Sequence, residues 1–155
     1  MANKLEQQLL ELEAKIEQTE ILSPAISSSS VGWHVEHTLL TINAIIEALK
    51  RSDPSQYKWE FSLPKILVFM LNKIPRGRAK APGQVQPQPN FNKITLAEHI
   101  KKTRAHLKDI QPLSANHYFE HPYFGKLNIQ PTVKFLGIHT QHHLDIINDI
   151  IKQKN

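Results

Sequence analysis

His139 and His143 lie one helical turn apart near the end of the chain. At about 100° per residue, both fall at the centre of an apolar helix face. Leu136, Ile147 and Ile150 define that face. Side chains at i and i+4 point the same way and can share a metal ion. A metal would satisfy these buried imidazoles, but so would hydroxyl groups or water in an ordinary core.

A third histidine, His37, lies in line with Thr41, Ala44 and Ala48 in an earlier helical segment. Small side chains below a histidine either let two helices approach closely or leave room for a ligand. The sequence does not separate these two alternatives. His34, one turn earlier, is a competing ligand, although its i, i+3 spacing to His37 favours a supporting or surface position.

The other histidines are weaker candidates for a metal site. His142 falls at the edge of the apolar face, about 60° from His139. His99 and His106 lie off the apolar stripe of their own helix, and we expect both on the surface. The chain has no cysteine. This excludes disulfides, thiolate metal sites and cysteine nucleophiles, so a metal would need histidine or carboxylate ligands.

Four segments with helical periodicity must position these histidines. Serines before residue 31 supply the N-cap of the second helix. The third is expected to begin at Thr95, with Glu98 completing a capping box. Pro131 is tolerated in the first turn of the fourth helix. The pattern predicts an all-α four-helix bundle with a long crossover connection, its helices covering about residues 5–22, 31–50, 95–111 and 128–152.

The crossover connection holds one more apolar segment. Residues 62–74 predict a short extra helix, which we expect to pack on the bundle as a lid or plug. Residues 75–89, dense in proline and glutamine, predict an irregular loop of a length that is often functional. Its basic residues predict either a solvated surface or contact with an anion: Arg76, Arg78 and Lys80. Three aromatic residues nearby are expected in the core: Trp59, Phe61 and Phe69.

Composition bounds the class of protein. A chain of 155 residues with 40% hydrophobic and 21% charged residues suits a single soluble domain, residues 1–155. No apolar run approaches the ~20 residues of a membrane span. The N-terminus lacks a secretory signal, so we expect a cytoplasmic protein without a membrane partner. The net charge of +5 raises nucleic acid as a partner. We do not expect nucleic-acid binding, because the sequence has no pattern of interleaved aromatic and basic residues.

Three segments, in this order, resemble the DinB-like four-helix-bundle metalloenzymes: SVGWHVEH (30–37), HPYFGKL (121–127) and HTQHHL (139–144). The middle one is typical of a subgroup of unknown function. The resemblance implies that His37, His139 and His143 are the metal ligands. It also implies that the segment at His121, Tyr123 and Phe124 lies near the site, unless those aromatic residues simply pack on the bundle. The family often has glutamine where this chain has Ile146, which puts a supporting polar contact in doubt.

Three imidazoles leave a coordination position open, as in catalytic rather than structural sites. Zinc is the default metal, and nickel or iron would also accept imidazole. The resemblance implies a low-molecular-weight thiol cofactor, S-transferase-type chemistry on a small electrophile, and a homodimer. Glu36, Glu47 and Asp145 point away from the histidines in a helical projection, so no general base for hydrolysis is evident. The alternatives are a metal-dependent hydrolase and a non-catalytic bundle stapled by its metal.

Overall fold

The computed structural model describes residues 2–77 and 81–154. Within them, five α-helices and one β-hairpin form the fold: α1 (Ala2–Glu13), α2 (Val31–Arg51), α3 (Leu63–Leu71), α4 (Lys93–His106), β1 (Tyr118–His121), β2 (Gly125–Asn128) and α5 (Ile129–Lys154). Short 3-10 turns cover Ile16–Gln18, Pro54–Gln56, Gly83–Val85 and Leu107–Ile110. In this described part, no helix combines the length and apolar character needed to cross a membrane.

The four long helices α1, α2, α4 and α5 enclose the core. Both α1 and α2 pack against α4 and α5. The apolar stripes predicted from the sequence are buried, for example Leu9 on α1, Ile100 on α4 and Leu136 on α5, each 0% exposed. The prediction of an all-α four-helix bundle with a short extra helix in a long connection is confirmed.

The start of α2 is fixed by two local features. The Ser30 hydroxyl accepts a hydrogen bond from the backbone N–H of Trp33, which caps the helix. A Cβ atom at Gly32 would collide with the side chains of Thr19 and Phe91, so the close approach of α2 to these neighbours requires glycine. The cap and the close approach set the position of the first turns of α2, which carry His34 and His37.

The start of α4 differs from the prediction. The N-cap is Asn92, whose side chain accepts from the backbone N–H groups of Ile94 and Thr95. The Thr95 hydroxyl in turn accepts from the Asn92 N–H, 2.8 Å away. Thr95 is therefore the N3 residue of the capping box rather than the N-cap, and the N-cap of α4 lies three residues earlier than expected.

The hairpin of β1 and β2 was not predicted. It pairs antiparallel, with Tyr118 opposite Asn128 and His121 opposite Gly125. Gly125 has φ 69°, the left-handed conformation that closes a three-residue hairpin loop. Two strands of four residues each are too short to give a clear alternating pattern, so the sequence does not indicate the hairpin.

The prediction for the extra helix is only partly correct. Helix α3 is present, but it buries only two of its residues, Lys65 and Val68. Trp59 and Phe61, expected in the core, are 66% and 70% exposed, whereas Phe69 is partly buried. Most of the apolar surface of α3 therefore faces outward and does not plug the bundle.

Candidate metal centre

His37 on α2 faces His139 and His143 on α5. One ring nitrogen of each histidine lies within 4.8 Å of the others. The ring centroids are 5.3 Å apart for His37 and His139, and 4.7 Å apart for His37 and His143. Such a cluster could hold a metal ion through imidazole nitrogens. The structure thus brings together all three histidines that the sequence singled out.

The ring of His37 is held from two sides. Its Nδ1 lies 2.8 Å from the backbone carbonyl oxygen of Val85, in the 3-10 turn of the long connection. A carbonyl oxygen can only accept, so Nδ1 carries the proton and Nε2 presents a lone pair. Trp33 stacks on the ring, with centroids 5.0 Å apart and planes 15° apart. This arrangement resembles the outer-shell support that orients histidine ligands in metal sites.

His143 has a similar support from His34. Their Nδ1 atoms lie 3.0 Å apart, so one Nδ1 carries a hydrogen and donates it in a hydrogen bond, and the other Nδ1 is the acceptor. The Nε2 of His34 lies 2.9 Å from the Ser27 hydroxyl. Burial, followed by the charges of neighbouring histidines, lowers the pKa of His34 to about 4. His34 lies outside the cluster of three, in the supporting position that its spacing favoured.

His139 supplies a direct test of whether a metal fits. Its Nδ1 is buried and has no hydrogen-bond partner among the described residues. A buried polar nitrogen without a partner costs about 1–3 kcal/mol, which a bound ion would offset. Burial lowers the pKa of His139 and His143 well below the usual value. Neutral imidazoles are the form that binds metal, so this donor set fits a divalent ion.

The nearby carboxylates are engaged elsewhere, as the sequence predicted. Glu36 Oε2 lies 2.8 Å from Nδ1 of His99. Glu47 accepts from the Lys50 ammonium, and Asp145 accepts from the Gln141 amide. In the part of the chain that the structure describes, no carboxylate joins the three-histidine cluster. The centre is therefore an all-nitrogen donor set.

The surface positions expected for His99 and His106 are wrong. Their side chains are only 20% and 26% exposed, and both bond to Asn43 across the contact between α2 and α4. His106, with Glu47 and Asp109, forms a second group of metal-ligand type. The Lys50 ammonium already lies 3.0 Å from Glu47 and 2.8 Å from Asp109, so an internal cation bridges these two carboxylates.

A cavity of about 500 Å³ lies beside the ligand helix. The loop after α3 lines one side, including Arg76, and α5 lines the other, including His142. The His142 ring centroid is 5.1 Å from that of His143, but none of the three clustered histidines lines the cavity. Arg76 pairs with Asp149 at 2.8 Å. Arg78 and Lys80, the other basic residues predicted to meet an anion, lie outside the described residues.

The hairpin approaches the centre through aromatic contacts. His121 stacks on Phe124, with centroids 4.0 Å apart and planes 10° apart. Both rings contact Phe135, whose centroid is 5.8 Å from that of His139. Burial lowers the pKa of His121 to about 4. The expected position near the site is therefore reached through Phe135, while Tyr123 stays 59% exposed.

Comparison with known proteins agrees with these structural observations. The family model described as the DinB superfamily matches residues 6–147, which include all three clustered histidines. Neither the curated proteins nor the solved structures gave a match. The family match covers most of the 155 residues. The chain therefore belongs to the DinB superfamily.

Proposed function

We propose that His37, His139 and His143 bind one divalent metal ion and that the protein is a metal-dependent S-transferase. It would join a low-molecular-weight thiol to a small electrophile. The observation that carries the proposal is the buried, all-nitrogen cluster with an unpartnered nitrogen on His139. Zinc is the first candidate on donor type, and nickel and iron follow.

A bound divalent ion would supply Lewis acidity, which lowers the pKa of a thiol or water that reaches it. The protein's own residues hold the three imidazoles in place. Val85 and Trp33 fix the ring of His37, and His34 supports His143. Because these contacts exist before substrate arrives, they restrict the orientation of the rings whose nitrogens lie within 4.8 Å of one another.

Thiol transfer is favoured over hydrolysis by what surrounds the cluster. Hydrolysis by activated water usually needs a carboxylate near the nucleophile to manage protons. Glu36 bonds to His99, and Asp145 accepts from Gln141; Asp145 and Asp149 line the neighbouring cavity, but no carboxylate of the described residues joins the cluster. Lys73 lines the cavity and offers a cationic group that suits the carboxylate of a small thiol or of its acceptor, whereas Arg76 there is paired with Asp149.

A metal that only staples the bundle is the second candidate. His37 and His143 are 4% and 7% exposed, and the cluster joins α2 to α5. An ion there would tie two core helices together, as structural metals do. This function predicts a large loss of stability on metal removal and no turnover with any thiol.

The first experiment is elemental analysis of protein purified without chelator. We expect about one metal ion per chain in the wild type and little in His139→Ala or His143→Ala. His117→Ala is the matched control, because His117 lies in the turn before β1 and bonds to Ser114. Metal-free wild-type protein, or full metal content in both ligand variants, would refute the metal proposal.

The second experiment separates the reactions. The metal-loaded protein is assayed with a panel of low-molecular-weight thiols and a chromogenic small electrophile, with and without each thiol. S-transfer predicts turnover that requires a thiol and disappears in His139→Ala. Turnover of an ester or amide without thiol would establish hydrolysis. If neither assay shows turnover, the metal is assigned the structural role of tying α2 to α5.

A further inference from the structure

Six large apolar residues around α3 face outward, and we call them the α3 face. They are Trp59, Phe61, Leu63, Leu67, Met70 and Leu71, with exposures of 66%, 70%, 58%, 50%, 73% and 71%. The four on the helix recur at three- and four-residue spacing, so they share one side. These four make a contiguous apolar strip, and such exposed strips mark interaction sites on folded proteins. Trp59 and Phe61 precede the helix, with ring centroids 6.4 Å apart.

The α3 face is anchored from behind. Val68 and the stem of Lys65 are buried on the opposite side of α3. The Ser62 hydroxyl caps the helix and also donates to the Tyr123 carbonyl, 3.0 Å away in the hairpin. The helix is thus formed and held with its apolar side outward.

The charges around the α3 face are mainly basic. Glu60 is the one acidic residue between positions 57 and 76, against three lysines and one arginine. Lys58 and Lys73 are exposed and pair with no carboxylate among the described residues. Lys126 and Lys134 flank the same region and donate to backbone carbonyls. In this described part of the chain, Lys58 and Lys73 are thus the exposed, unpaired ammonium groups beside the apolar residues, and Lys126 and Lys134 lie nearby. The Lys65 ammonium is turned away and donates to the carbonyl oxygen of Glu60.

We propose that the α3 face binds the surface of an anionic lipid bilayer. Exposed leucine, methionine, tryptophan and phenylalanine side chains insert among the acyl chains at the interface of such a membrane, and neighbouring lysines contact its anionic head groups. A second copy of the chain fits less well. A two-fold contact would place like-charged rims together.

This binding is peripheral and needs no segment that crosses the membrane. The expectation of no membrane partner rested on the lack of such a segment in the sequence. Lys73, beside the α3 face, also lines the cavity to which His142 of α5 contributes. A docked protein would therefore hold that cavity close to the bilayer. The proposal does not depend on the metal or on its reaction.

The test is co-sedimentation of the full chain with vesicles of phosphatidylcholine alone or mixed with phosphatidylglycerol. We expect at least tenfold tighter binding to the anionic vesicles, weakening with added salt. Met70→Glu should lose at least tenfold of that affinity. Ile94→Glu is the matched control: Ile94 is 71% exposed on α4, away from the α3 face, and the charge change is the same. Circular dichroism verifies that both variants fold.

Several outcomes would overturn the proposal. Absence of binding to anionic vesicles would do so, and so would equal losses in Met70→Glu and Ile94→Glu, which would indicate attraction by net charge alone. A dimer in light scattering that Met70→Glu dissociates, without vesicle binding by the wild type, would assign the α3 face to a second copy.

Discussion

The hairpin histidine His121 predicts a measurable dependence of stability on pH. Its pKa is lowered from 6.5 to about 4 by burial against Phe124 and Phe135. Between these values the unfolded chain binds a proton that the folded chain does not. The free energy of unfolding must therefore fall as the pH falls through this window. From pH 7 to pH 5 the two pKa values give a loss of about 2 kcal/mol from this residue.

The variant His121→Phe removes the titrating group and keeps an aromatic ring on Phe124. Urea unfolding at pH 7 and pH 5, with chelator present to remove metal linkage, gives the free energies. We expect the loss between the two pH values to be about 2 kcal/mol smaller in the variant. Tyr123→Phe, in the same turn and 59% exposed, is the control and should keep the wild-type loss. An unchanged loss in His121→Phe would show that burial of His121 does not disfavour its charged form.

Three further predictions concern the metal centre and the start of α2. Replacing His34 with alanine should weaken metal affinity about 10–100-fold in competition with a chromophoric chelator, while the stoichiometry stays at one, because His143 loses its support. Metal at a thousandfold excess over its Kd should stabilise the wild type by about 4 kcal/mol in urea unfolding, and His139→Ala should lose this gain. Gly32→Ala should cost about 1–3 kcal/mol, measured in the same way, because its methyl group would collide with Thr19 and Phe91.

Helical phase selected His139 and His143 because a helix fixes the direction of its side chains, whereas the family resemblance added His37 as their partner. His139 and His143 share a face at any position along α5, and His37 heads a stripe that α5 approaches. Phase could not decide the role of His34. Whether a ring one turn away meets a ligand or solvent depends on the distance between the helices, which the sequence pattern does not contain.

The positions of α3 and of its aromatic neighbours could not be read from hydropathy. Residues 63–71 are apolar nearly all round, with a single lysine. A helix without a polar side has no pattern to say which side faces the core, and burial is then the default expectation. Leu63, Leu67 and Met70 are exposed because the bundle covers the opposite side of α3, and the sequence of the helix does not indicate which side is covered.

The long connection between α2 and α4 supplies contacts to the metal centre that the four long helices do not. The helices α2 and α5 bring the three rings together, but the direction of the His37 lone pair is set by the carbonyl oxygen of Val85, outside the bundle. No side-chain pattern could reveal a backbone acceptor in an irregular loop. The same connection also carries Lys73 and Arg76, which line the cavity beside α5. The bundle therefore positions the three rings, and the connection sets the tautomer of one of them.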